Sequence, residues 1–463
     1  MTSVPSTVGI VASGEDVLND AVFWVDAGRS SVSNGALTNL GTGGPALNAV
    51  FGNTTGVDQF DPTLLSHTGT NHLYLPGLAS NYASAPDSAA LDITGDIEIV
   101  ARVALDDWTP TGVMQLVGSV QADPNRRFRL LVQTSGVLQL EWWPTGSAAS
   151  SASRSTTTAP ALTDGTAYWI KATLTASTGK ANFYYAADQA TEPSSWTEQA
   201  SAAGLGATSI ANVTAPLEIG SGFSGSTHPA SGKFYRVIVR NGIGGTAVFD
   251  ADFTAGITSG AQTTFTESSA NAATVTINRA TSGRKSVAVT RPILLFGTDD
   301  YLEVADNDLL DFGASDSFTA IVIVRQWATA PSFSRYIDKK NGGGTGVGWD
   351  LTTNGTASQP AFFIGDSING ANRTGSVVTA GTLNVFVGVL NRAAQTMAAF
   401  TNNTSSATTS TTSVGSLTNA LPMRVGIAAN IASSAADMEL VAAAVWRRAL
   451  NANEIATIVN RYT

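Results

Sequence analysis

The sequence predicts an all-β protein of two antiparallel β-sandwich domains that ends in a short helix. A long stretch is written twice: Tyr82, Asp87, Leu91 and Asp92 recur as Tyr301, Asp306, Leu310 and Asp311, 219 positions on. After a one-residue slip Asp96 matches Asp316, and Trp108 answers Trp327 at the end of the apolar run that follows. A repeat on that scale is a duplicated domain, not a solenoid unit. The apolar runs are short and separated by Gly, Asn and Ser turns, as in a two-sheet sandwich. With 43% hydrophobic and only 13% charged residues, the chain has the aliphatic and aromatic content for a core that a disordered acidic chain lacks.

Residues 1–20 are small and polar and read as an N-terminal arm. Ala21 to Asp26 (AVFWVD) is a strand, and residues 21–254 form the first expected sandwich. Within it Ile97 to Leu105 is the central apolar run, Phe128 to Val132 and Val137 to Trp143 form a hairpin around Ser135-Gly136, and Tyr168 to Leu174 pairs with Ala181 to Ala186. Residues 255–291, rich in Thr, Ser, Ala and Gly but carrying β-branched runs, read as an ordered connector. Residues 292–463 repeat the order: Ser317 to Trp327, then Gly346 to Leu351, Pro360 to Gly365, and a hairpin of Leu383 to Asn391 with Thr396 to Asn402. Asn451 followed by Glu454 opens a helix like a capping box, and Ile455, Ile458, Val459 and Tyr462 fall on one face.

Several function classes are excluded by composition. A net charge of −10, with no basic run longer than two residues, is the wrong sign for a nucleic-acid binder. No cysteine is present, so disulfides and thiolate metal sites are unavailable. The N-terminus lacks the basic region of a secretion signal, and no stretch of 18 apolar residues occurs, so no membrane insertion is expected. His67, His72 and His228 are too few and too scattered for an ordinary zinc site.

The phrases YLEVADNDLLDFGASDSFTAIVIVRQW, MRVGIAAN and LVAAAVWRRALNANEIATIV resemble the LamG-like, concanavalin A-like jelly roll, over both expected domains. LTNLGTGGPALNAVFG, LYLPGLASNYASAPDSAALDITGDIEIVARVALDDWTP and RPILLFGTDDYLEVADN narrow this. They resemble the tandem LamG-like minor tail proteins of tailed phages that infect actinobacteria, over most of the chain. That resemblance implies a non-enzymatic virion protein, assembled in the host cytoplasm, oligomeric in the particle, with other virion proteins and host-envelope glycan as partners. A capsid decoration or head-fibre protein and, more remotely, a carbohydrate-active enzyme are the alternatives.

Concanavalin-like folds include glycoside hydrolases, so paired carboxylates are the first chemistry to seek. Asp250 and Asp252 flank Ala251 at strand spacing, but no third carboxylate follows, so no catalytic residue is assigned. Two carboxylates facing one another in a concave cleft would favour the enzyme. No cofactor is expected. Calcium is the one metal the resemblance implies, at the oxygen-rich clusters Asp106 with Asp107, and Asp306, Asp308 and Asp311. The adjacent aromatic pairs Trp142-Trp143 and Tyr184-Tyr185 leave their strands on opposite faces, so one of each can lie exposed and stack on a sugar ring. Partner recognition is expected where the two copies differ: that Trp hairpin, the Gly-rich 341–348 loop and the Ser/Thr-rich 403–416 loop.

Overall fold

In the computed structural model the described residues are 14–52, 54, 56, 58, 61–327, 333–354, 359–430 and 434–463. The chain forms two compact units, one of residues 67–291 and one of residues 1–66 with 292–463. Each is a sandwich of two antiparallel sheets around its own core, so the expected all-β class, jelly-roll layering and terminal helix are what the structure has.

In the 67–291 unit one sheet is organised around Ile97–Leu105, which pairs with Tyr168–Thr175 on one side and Ser231–Asn241 on the other. Ile97, Ile99, Ala101 and Val103 alternate inward onto Val117, Leu130, Leu140 and Ile219 of the facing sheet. Both hairpins expected here form, and Gly136 (φ +77°) and Gly179 (φ +60°) supply the left-handed turn residues. The other unit repeats the plan: Phe318–Arg325 lies between Leu383–Asn391 and Glu439–Trp446. Its core packs Phe318, Val322 and Ala443 against Leu302, Leu351 and Phe362.

The pairing divides the chain differently from the expected boundaries. Phe23–Asp26 pairs along Glu439–Trp446, Ala49–Phe51 along Leu302–Val304, and Thr63–Leu65 along Ile293–Leu295. The segment expected as a connector instead completes the 67–291 sandwich: Thr274–Asn278 pairs with Tyr82–Ala85, and Val287–Val289 with His72–Pro76. These two blocks are copies. Ala247, Val248, Phe249 and Asp252 repeat Ala21, Val22, Phe23 and Asp26, and Thr246–Asp252 runs along Ser231–Asn241 as Phe23–Asp26 runs along Glu439–Trp446. The duplication is therefore of block and cassette alternately: the first cassette is closed by the block that follows it, and the second by the block near the N-terminus.

The expected arm is also more structured than its composition suggests. Residues 1–13 lie outside the described residues, but Gly14–Asn19 is a helical turn whose Val17 and Leu18 are buried, and the Trp446 indole N–H donates to the Val17 carbonyl at 2.8 Å. The terminal helix is Ala452–Tyr462, with the full capping box and Ile455, Ile458, Val459 and Tyr462 buried. Tyr462 OH donates to Asp26 at 2.7 Å, tying the helix to the N-terminal block.

Candidate functional site

An open cleft of about 300 Å³ lies at one rim of the 67–291 sandwich. It is walled by the 106–113 loop that leaves Ile97–Leu105, by Gly77, and by Pro229 and Ser231 where the Ser231–Asn241 strand begins. Asp106 is exposed there. Its Oδ2 accepts from Tyr74 OH at 2.9 Å and from Ser231 Oγ at 2.6 Å. Burial, with Asp106 beside it, raises the Tyr74 pKa, so the phenol stays protonated and remains a donor. Among the described residues Oδ1 has no hydrogen-bond partner. A carboxylate fixed by two donors, with a free oxygen and the apolar Pro110, Val113, Met114 and Pro229 nearby, suits a ligand with hydroxyl groups on a carbon face.

The acidic clusters do not fit calcium as they stand. Asp107 Oδ1 accepts from the Thr109 amide and hydroxyl, a turn cap. Asp306 and Asp311 hold the Lys339 ammonium, at 2.6 and 3.2 Å, and the Asn419 and Leu421 carbonyls complete the shell at 3.1 and 2.7 Å. Two carboxylates and two carbonyls are a hard-cation donor set, and here the cation is a side chain that is 1% exposed. In the 67–291 unit the duplicated Asp87 and Asp92 likewise hold Arg127, whose Nη2 also meets the Val213 carbonyl. Asp308 is exposed at the first turn of the 3-10 segment Asp308–Leu310. No group of three His, Asp or Glu side chains fit to hold a metal occurs among the described residues. His67 and His72 do meet, with ring centroids 6.5 Å apart, and burial lowers His72 to about 4.

The aromatic pairs are placed differently from expectation, and this is a correction for Trp142 and Trp143. Trp142 points into the core and is fully buried, its indole N–H donating to Thr208 Oγ1 at 3.0 Å. Trp143 points to the opposite face but is only 1% exposed, because Arg126 and Arg129 lie over its ring at 5.8 and 5.4 Å. Neither can stack on a sugar from solvent. Tyr185 packs half-buried on the main core. Tyr184 is the outward member, half-buried, with Lys171 Nζ 4.9 Å from its ring and 4.2 Å from that of Trp196. That cation occupies the ring face that a sugar would use.

Asp250 and Asp252 have structural partners: Asp250 is buried and takes both arms of Arg236 at 2.7 and 2.6 Å, and Asp252 caps the Phe253–Gly256 turn. Sequence reading missed a different pair. Asp338 and Asp350 sit directly opposite one another on adjacent strands, 1% and 2% exposed. Arg335 Nε lies 2.7 Å from Asp338 Oδ2 and 3.8 Å from Asp350 Oδ2, and Asp350 Oδ1 has no hydrogen-bond partner. Burial raises both carboxyls, Asp350 to about 7. The 12-residue separation across a Gly-rich turn was the available signal. A glycosidase pair must reach solvent water and the scissile oxygen, which carboxyls this buried do not.

A pH dependence of stability follows. The folded-state value of Asp350 is raised above its ordinary 3.8, so its contribution is fully present below pH 4 and is lost as pH rises through about 7. Asp350→Asn is expected to raise the melting temperature at pH 8 and to flatten the fall between pH 4 and 7. A variant that melts lower than the parent at pH 8, with the slope unchanged, would contradict this.

No protein-family model matches the chain, and no curated protein matches it. Solved structures to which the chain is similar include the LG4-5 domains of the mouse laminin α1 chain, at 12% identity and a TM-score of 0.30, covering 86% of this chain and 93% of that one. The binding domain of Paraclostridial mosquitocidal protein 1 (13%, 0.32) is covered over 49% of its length by 43% of this chain. For a Bacteroides ovatus putative carbohydrate-binding protein (14%, 0.32) the shares are 57% and 45%. At these scores the likenesses carry no functional weight.

Proposed function

We propose that this chain is a non-enzymatic virion protein, a minor tail or tail-fibre-like component, whose 67–291 sandwich contacts host-envelope glycan through the Asp106 cleft. The virion assignment is supported by the sequence resemblance. The glycan assignment is carried by one observation: an exposed carboxylate held by Tyr74 and Ser231, with one oxygen free, at the wall of an open cleft of about 300 Å³. A volume of that size takes a sugar ring or two rather than an extended chain. Asp106 accepts hydrogen bonds from sugar hydroxyls while the proline and valine walls cover carbon faces. The enzymatic reading is disfavoured because Asp338 and Asp350, which face one another across adjacent strands, are buried.

The test is a glycan array and a cell-wall pull-down with the purified chain, beside Asp106→Asn and Trp143→Ala. Binding is expected to fall about tenfold or more in Asp106→Asn, since a charge-assisted hydrogen bond is worth roughly 1.5–3 kcal/mol. Folded Trp143→Ala should retain it. No binding by the parent, or binding indifferent to Asp106, would overturn the reading.

A further inference from the structure

One wall of that cleft is the end of a strap, residues 220–230, that lies across the outer face of its sheet. The strap holds three non-glycine residues in the left-handed region, Phe223 (φ +52°), Ser224 (φ +55°) and His228 (φ +53°). Such conformations are costly and persist only where surrounding contacts hold them. Arg126 lies 5.1 Å over the Phe223 ring, Gln115 Nε2 donates to the Ser221 carbonyl, and the Ser224 amide donates to Glu218 Oε1 at 2.8 Å.

Glu218 is the unusual member. It stands between Gly118 and Ser84 on the outer face, 1% exposed beneath the strap. Its Oε1 takes both Ser224 N and Gln121 Nε2, whereas Oε2 has no partner. Two further oxygens are orphaned under the same strap, Gln115 Oε1 and Thr227 Oγ1, which lie 2.8 and 3.2 Å from where a Gly222 Cβ would stand. At its far end the strap passes through His228 into Pro229 and Ser231, the cleft wall that holds Asp106.

We propose that the 220–230 strap is a pH-responsive wall of the Asp106 cleft, seated while Glu218 is uncharged and released when that carboxyl ionises. The charged form has an oxygen with no donor in a place water reaches only if the strap lifts. Burial raises Glu218 from 4.5 to about 7 in the seated form. With the strap lifted the carboxyl regains its ordinary value, so the seated state is favoured fully below pH 4.5 and loses about tenfold per pH unit up to pH 7. None of the groups around it acts in that sense, and His228 acts in the opposite one, because a lowered imidazole favours the seated strap as pH rises. Arg129 is paired with Glu141 at 2.7 Å, Arg126 covers Trp143 and Phe223, and burial raises Tyr82. His228, whose Nδ1 lies 3.5 Å from Arg129 Nη1, is lowered by burial first and by Arg129 next.

The role at the cleft rests on the reading above; the motion of the strap does not. Hydrogen exchange of residues 220–230 in the intact chain, with rates corrected for intrinsic pH dependence, is to be followed from pH 4.5 to 8. Protection in the parent should fall at least tenfold over that range, while Glu218→Gln, neutral at every pH, should show no fall, with His228 able only to raise protection as pH rises. His228→Asn, which tolerates the left-handed backbone, should keep the parent's response. Unchanged parental protection, an equal fall in Glu218→Gln, or loss of the response in His228→Asn would each overturn the proposal. Glycan arrays at pH 5 and 8 read the consequence: if the strap responds and no glycan binds at either pH, the glycan reading fails and the strap stands.

Discussion

Residues 67–291 expressed alone will fold to a cooperative, protease-resistant domain, whereas residues 292–463 alone will not. The first segment holds both of its sheets and its whole core. The second lacks three strands that pair with Glu439–Trp446, Leu302–Val304 and Ile293–Leu295, together with the buried side chains of Phe23, Val25, Leu37, Leu47, Ala49 and Phe51. Burying the larger of these contributes roughly 1.5–3 kcal/mol each, about 10 kcal/mol together, which is the whole net stability of an ordinary domain. Joining residues 14–66 to residues 292–463 through a short Gly/Ser linker should restore a sharp thermal transition. A cooperative transition for 292–463 alone would contradict the pairing.

Lys339→Ala should destabilise the protein by about 3 kcal/mol, the low end for removing one partner of a buried ion cluster because Asp306 is partly exposed. For a sandwich of this size that is a fall of about 10 °C. The loss arises because Asp306, Asp311 and the Asn419 and Leu421 carbonyls would then face one another with no cation between them. Calcium at millimolar concentration is expected to recover several degrees in the variant and none in the parent, since the variant presents four oxygens around a vacated position. A melting temperature equal to the parent's, or a parent stabilised equally by calcium, would contradict this account of the cluster.

Locally encoded features were legible in the sequence. The capping box at Asn451 and Glu454, the one-faced apolar set of the last helix and the Gly136 and Gly179 hairpins each depend on residues a few positions apart. The duplicated aspartates were legible as a repeat, but their partners were not, because the cation comes from different strands in the two copies: Arg127 from Arg126–Val132 and Lys339 from Arg335–Lys340. Domain boundaries were illegible for a related reason. Phe23 meets Val445, and only the short echo of AVFWVD in AVFDAD betrays that the two blocks play the same part. Trp143 looked free to face solvent because Arg126 and Arg129 cover it through tertiary packing that strand alternation does not report. The cleft itself was half legible: Asp106 and Asp107 were singled out for their oxygens, while Tyr74 and Ser231, which fix Asp106, carry no local signal.

The most direct test of the functional account is a crystal structure of the intact chain with its best array ligand. The account predicts a sugar ring in the 106–113 cleft, a ring hydroxyl donating to Asp106 Oδ1, and contacts with Pro110 and Pro229. A well-ordered sugar elsewhere, on Tyr184 and Trp196 or on the other sandwich, with the Asp106 cleft holding only solvent, would contradict it.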